Sequence, residues 1–272
     1  MAEAAPVFGT LLKQWRQHRH VSQLELSLRA GVSQRHLSFL ETGRANPSRP
    51  MVLALASSLE VPLRERNSLL QSAGFNAVFG EGNLQSESHR VFRDALQQNL
   101  DHQEPYPALV LDGQWNMVMA NDAANRFFGL FIDPFQALAA IGAPADFQIV
   151  RLCLHEAGLQ PYIVNWADLV GTFLSRFRRA QAANPRHEGL AAIIEEILTH
   201  PLAPADWREL WRGQPEPAVQ MVLATPAGDE LKLFTMLAHF GSPGDVTLEE
   251  LSVEMFYPAD DATRRYLEAL AA

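Results

Sequence analysis

The stretch from Ser22 to Gly43, SQLELSLRAGVSQRHLSFLETG, constrains this chain more than any other. Ser22 precedes an apolar-periodic run and Glu25 follows three residues later, the spacing of a capping box that satisfies helix-terminal N–H groups. Leu24 and Leu28 share one helical face. Gly31 stands where the chain must turn sharply, and Ser33 is an N-cap for a second helix. On that helix Leu37 and Leu40 point back at the first, while Gln34, Arg35 and Ser38 fall on the opposite face. Arg and Gln are the side chains that pair bidentately with guanine and adenine edges. Two helices joined by a short glycine-bearing turn match the helix-turn-helix, whose second helix lies in the major groove. An ordinary helical hairpin would show the polar face, but not the capping and glycine placement as well.

Charge agrees with this reading once it is divided. The formal net charge is −9. Residues 1–75 hold nine Lys/Arg and five Asp/Glu, whereas residues 76–272 hold thirteen and twenty-six. A basic head can meet phosphates, and an acidic body is repelled by them. The boundary is therefore expected near residues 76–86.

Around the motif, Val7 to His20 reads as a first helix with Phe8, Leu11, Leu12 and Trp15 on one side. Arg16 is placed to pair with Glu41. Gly43 ends the recognition helix, and Arg44 follows it as a phosphate-binding candidate. Ser48 is the expected cap of a helix over Pro50–Leu59. Pro62 opens a fifth helix through Ala73. Five helices make a compact all-α head over residues 1–75.

The run HLSFLETGRANPSRPMVLALASSLEVPLRERNSLLQSAGF, residues 36–75, resembles the head of the MmyB-like transcription regulators within the lambda-repressor-like, Xre-type family. The resemblance implies Gln23 on a phosphate and Gln34, Arg35 and Ser38 on bases or groove; Ser33 and Arg44, read from the residues themselves, complete the expected DNA-binding set. Phe39 is expected to pack.

Residues 76–104 read as a linker and a connecting helix, His89–Asn99, with Val91, Phe92, Ala95 and Leu96 inward. Residues 105–272 form the body. In PALVLDGQWNMVMAN, Asp112-Gly113 lies between two runs of strand formers, a hairpin signal. A helix over Asp122–Phe131 follows. Residues 146–157, 165–183, 188–199 and 204–212 read as helices, residues 217–224, 230–240 and 248–257 as strands, and Asp260–Leu270 as a last helix. The expected fold is an α+β body with a five-stranded antiparallel sheet and covering helices. This stretch resembles the MmyB-like ligand-binding domain, which implies a PAS-like fold and an apolar, fatty-acid-like effector.

Phe127, Phe128, Phe131, Trp166, Phe173, Trp207, Trp211, Phe234 and Met236 are candidates for a cavity wall, although any one of them fills a core as readily. A carboxylate ligand would need a cation at the mouth, for which Arg151, Arg176 and Arg178 are candidates. Catalytic constellations are not apparent: there is no G-x-S-x-G, no Gly-rich phosphate loop and no H-E-x-x-H. The chain is expected not to be an enzyme and to bind neither metal nor cofactor. Cys153 lies between two leucines and is expected in a core. With one cysteine, no run of eighteen apolar residues and no basic start before a long apolar centre, the chain is expected in a reducing cytoplasm, which the family resemblance makes a bacterial one with the protein associated with the nucleoid. Two functions stand. One is a homodimeric regulator on a double-stranded, pseudo-palindromic operator, controlled by a small apolar effector. The other is a constitutive DNA-binding regulator whose body serves only dimerisation or partner docking.

Overall fold

A computed structural model describes residues 7–141, 148–203 and 220–272. The chain divides into two compact units. One comprises the residues up to Gly82 together with Ser242–Glu249, and the other Asn83–Gly241 with Glu250–Ala272.

The first unit contains α1 (Phe8–His18), α2 (Gln23–Arg29), α3 (Gln34–Glu41), α4 (Arg49–Ser58) and α5 (Leu63–Ser72). Its core gathers Phe8, Leu11, Leu12, Trp15, Leu26, Leu37, Leu40, Val52, Leu55, Leu69 and Leu70. Caps fall where side-chain chemistry puts them: Ser22 Oγ accepts from Glu25 N and Ser33 Oγ from His36 N. The Glu25 carboxylate pairs with Arg29 one turn on. Gly31 and Gly43 adopt φ of +66° and +71°, left-handed values that cost glycine little. On α2 the leucines at 24, 26 and 28 recur every second residue, so a helix cannot bury all three. Leu26 is inside; Leu24 and Leu28, the expected face, are 54% and 75% exposed. Ser48 occupies the N-cap of α4 but its side chain makes no capping hydrogen bond.

The second unit begins, after a short 3-10 turn, with α6 (Arg90–Gln103). Its inward residues are Leu96 and Leu100; Val91, Phe92 and Ala95 are exposed, against expectation. The Phe92 and Phe240 rings meet nearly at right angles, with centroids 5.9 Å apart. Then come β1 (Ala108–Leu111), β2 (Met117–Ala120), α7 (Asp122–Gly129), α8 (Pro134–Ile141), α9 (Ile149–Leu154), α10 (Trp166–Ala183), α11 (Glu188–Thr199), β3 (Met221–Ala224) and β4 (Glu230–His239). A short helix, α12 (Val246–Glu250), precedes β5 (Ser252–Pro258) and α13 (Asp261–Ala271). Residues 248–250, read from sequence as strand, thus belong to α12. The helix expected over 204–212 lies outside the described residues.

The five strands pair antiparallel in the order β2-β1-β5-β4-β3. Buried Asn121 ties the hairpin to its surroundings. Its Oδ1 accepts from Ala108 N and caps α7 at Ala124 N, and its Nδ2 donates to Tyr106 O and Leu100 O. The sheet and α7, α9, α10 and α11 share one apolar core.

Candidate functional site

The element expected to face DNA is α3. Leu37 and Leu40 are buried beneath it, which leaves Gln34 and Arg35 exposed and Ser38 half-exposed. Phe39 is half-buried, and the Arg35 guanidinium lies over its ring at 5.4 Å from the centroid. That cation–π contact restrains a long side chain before any base is met. Ser33 is held by its cap, whereas Arg44 is exposed just beyond the helix. Gln23, expected on a phosphate, donates Nε2 to Glu41 Oε2 at 2.8 Å, so its amide is oriented by α3.

Glu41 also takes Arg16. Nε reaches Oε1 at 2.6 Å and Nη2 reaches Oε2 at 2.9 Å, while Nη1 donates to Val21 O. The hydrogen bond to Glu41 is the main reason the Arg16 pKa is raised above its ordinary value. Arg19 is used up differently, its Nε and Nη2 donating to Leu59 O and Glu60 O. These two arginines build the head. Lys13, Arg35, Arg44 and Arg49 are the exposed cations on its α1, α3 and α4 segments. A Cβ on Gly9 would overlap Leu40 O and lie 2.8 Å from Glu41 O, so α1 touches the end of α3 only because residue 9 is glycine. Sequence reasoning missed Gly9, since a mid-helix glycine carries no periodicity signal.

In the body, α10 covers one face of the sheet and leaves an open cleft of ≈ 1550 Å³. Alternate residues of two paired strands form its floor. Thr235, Leu237 and His239 of β4 line it beside their register partners Phe256, Glu254 and Ser252 of β5. Of the candidate wall residues, Phe128 and Phe173 line the cleft; Phe234 borders it, but its side chain is on the same face of β4 as Met236 and its ring stacks on Tyr257. Phe127 and Phe131 are instead in the solid core, where Phe127 packs its ring against Phe128, Phe131 and Phe256. Trp166 does not line the cleft; its Nε1 donates to Leu202 O. Met236 falls on the alternate face of β4 and is 52% exposed. Trp207 and Trp211 lie outside the described residues. Arg151 is not at the cleft but pairs with Glu196 at 3.0 Å.

Arg176 and Arg179 of α10 both line the cleft, and the one that reaches the sheet is Arg176. Its guanidinium reaches from α10 to Glu254 Oε1 at 3.1 and 3.2 Å and sits 4.8 Å from the Trp115 ring centroid. Trp115 was not among the expected wall residues, and its placement depends on the turn. Asp112 Oδ1 accepts from Gln114 N and Asn116 N, so residues 113–115 form a three-residue loop. Such loops end in a left-handed residue, here Trp115 at φ 66°, not Gly113. A bulky residue held there costs about 1–3 kcal/mol and marks a position the surroundings enforce.

Cys153 also lines the cleft wall. Burial pushes its thiol up to about 12, with the nearby Glu254 charge acting in the same direction. It is a protonated, packed thiol at neutral pH rather than a redox-reactive thiolate. Among the described residues, no cluster of His, Cys, Asp and Glu is suited to a metal ion, and no helix is long and apolar enough to cross a membrane.

Comparison with known proteins adds two family matches. Residues 12–66 match the helix-turn-helix family model, and residues 92–270 match that of the MmyB-like transcription regulator ligand binding domain. No curated protein matches the chain. Among solved structures, an RNA-binding light-oxygen-voltage receptor is similar at 14% identity, with 96% of this chain and 63% of that one covered and a TM-score of 0.24. The chain therefore spans less than two thirds of that receptor, and the likeness is too slight to bear on function.

Proposed function

Because this chain belongs to the MmyB-like transcription regulators, DNA-binding proteins with a ligand-binding body, we propose that it binds a double-stranded operator as a homodimer under the control of a small apolar effector. In this reading Gln34, Arg35 and Ser38 read bases, while Gln23, Ser33 and Arg44 hold backbone phosphates. Two recognition helices would lie about one DNA turn apart, ~34 Å. The sheet and its covering helices act as a PAS-like sensing body, and the protein works in the bacterial cytoplasm on the nucleoid.

The observation that carries the sensing half is the open cleft between α10 and the sheet, walled by Phe128, Phe173 and Trp115. An apolar chain fits that wall. A fatty-acid carboxylate has Arg176 within the cleft but must compete there with Glu254, whereas a neutral polar head need not. An effector controls binding only through a difference in affinity for two states of the protein. The test is a gel shift on a fragment of the gene's own promoter, with and without decanoic acid, beside native mass spectrometry of the purified protein. A co-purified lipid mass and an effector-dependent shift support sensing. Operator binding that no acyl ligand changes supports a second reading, a constitutive regulator with a scaffolding body. The Arg176–Glu254 pair favours that alternative, since it already ties α10 to the sheet.

A further inference from the structure

We propose that residues 242–249 are a strap through which the state of the cleft is reported to the DNA-binding head. This rests on the sensing reading above. The strap lies between β4 and β5 in the chain, yet it packs as part of the first unit. Val246 N donates to Gly80 O at 2.9 Å. The Thr247 hydroxyl accepts from Gly82 N at 3.0 Å and donates to Gly82 O at 2.8 Å. Val246 and Leu248 are buried.

The strap also completes a helix of the head. Pro62, the N-cap of α5, provides no side-chain hydrogen bond. The Leu63 N–H, left over in the first turn, donates to Glu249 Oε2 at 2.6 Å, across 186 positions of chain. A carboxylate is favoured at a helix N-terminus by both hydrogen bonding and the helix dipole. α5 in turn packs against α1 and α4, and α1 meets the end of α3 at Gly9.

Both ends of the strap are tethered to the cleft. Leu237 and His239 at the end of β4, and Glu250 and Ser252 before and at the start of β5, line it. Glu250 further lies against the turn that aims Trp115, since a Cβ on Gly113 would sit 3.0 Å from Glu250 Cβ. Residues 240–241 and 250–251 are the connectors, and two residues span at most ~7 Å. A ligand that spreads the ends of β4 and β5 therefore pulls on Thr247 and Glu249 once that short slack is taken up. The strap then biases the first turn of α5 between capped and uncapped states, the two-state element that coupling requires.

Hydrogen exchange of the full-length protein tests this. The cleft is perturbed in two independent ways, by decanoic acid and by Gly171→Leu, a cleft-lining position where a Cβ meets nothing within 4 Å. Either perturbation is expected to change exchange at residues 63–66 by roughly 2- to 30-fold, the range a helix cap represents. In a Thr247→Val/Glu249→Ala background that change should vanish, while the change at residues 250–254 persists. If exchange at 250–254 responds and 63–66 does not, the strap proposal is overturned and sensing stands. If Gly171→Leu acts on 63–66 through the strap but decanoic acid changes nothing, the strap stands and the acyl-effector reading fails.

Discussion

Arg16 and Glu41 are joined by two parallel hydrogen bonds, and the Glu41 side chain is only 2% exposed. The pair fastens α1 to the last turn of the recognition helix, and Glu41 in addition orients Gln23. Removing one partner strands the other charge in a nearly dry site. Glu41→Ala is expected to destabilise the head by about 3 kcal/mol or more, read as a lowered midpoint in urea unfolding. An unchanged midpoint would mean that the pair contributes nothing.

Gly9 tests the same joint by shape alone. Gly9→Ala would normally favour a helix, but here the added methyl meets the backbone of Leu40 and Glu41. Overpacking is expected to cost about 1–3 kcal/mol and to weaken operator binding by displacing α3. Thermal unfolding with a gel shift decides it, and a stabilised variant would contradict the geometry.

Arg35 and Arg44 should separate by sequence dependence. Arg35→Ala is expected to cost about 1–3 kcal/mol on the cognate operator and little on random DNA. Arg44→Ala should weaken both alike and flatten the salt slope by about 1. Fluorescence anisotropy titrations at several salt concentrations distinguish the two, and uniform weakening by Arg35→Ala would move it to the phosphates.

Cys153 gives a pH dependence whose sign follows from burial. Its folded pKa is raised from the ordinary 9.0 to about 12, so the fold prefers the neutral thiol. That preference is fully present below pH 9 and is lost as pH rises towards about 12, because the unfolded chain releases the proton first. The alkaline limb of stability should therefore be shallower in Cys153→Ala. Iodoacetamide at pH 8 is expected to label the thiol only after unfolding.

Gly171 offers a direct probe of the cleft. It is a helical glycine in α10 with open space before it. Gly171→Leu should leave the fold at least as stable, since leucine is the better helix former by nearly 1 kcal/mol. Any quenching of tryptophan fluorescence that decanoic acid produces in the unaltered protein should then be lost. Retained quenching would place any acyl ligand elsewhere.

The head was legible in the sequence because its determinants are local. Ser22 and Ser33 cap, Gly31 and Gly43 turn, and Leu37 and Leu40 face inward by helical spacing alone. The Arg16–Glu41 pair was read as well, although it joins side chains 25 positions apart and forms only where α1 meets the end of α3. The hairpin at Asp112 was legible too, but the residue that takes positive φ was not. The extent of the loop gives it to Trp115.

What only the tertiary structure decided is which apolar side chains share a cleft and which fill a core. Phe127 and Phe128 are neighbours of the same type, yet adjacent helical residues point about 100° apart, and where α10 lies over the sheet makes one core and the other wall. Long-range placement also chose Arg176 over Arg151, because a cation's partner in space, not its neighbours in sequence, fixes where it points. For the same reason a carboxylate at Glu249 caps a helix that begins at Leu63. Capping within a helix is written in adjacent residues, whereas capping from another part of the chain exists only once the chain has folded.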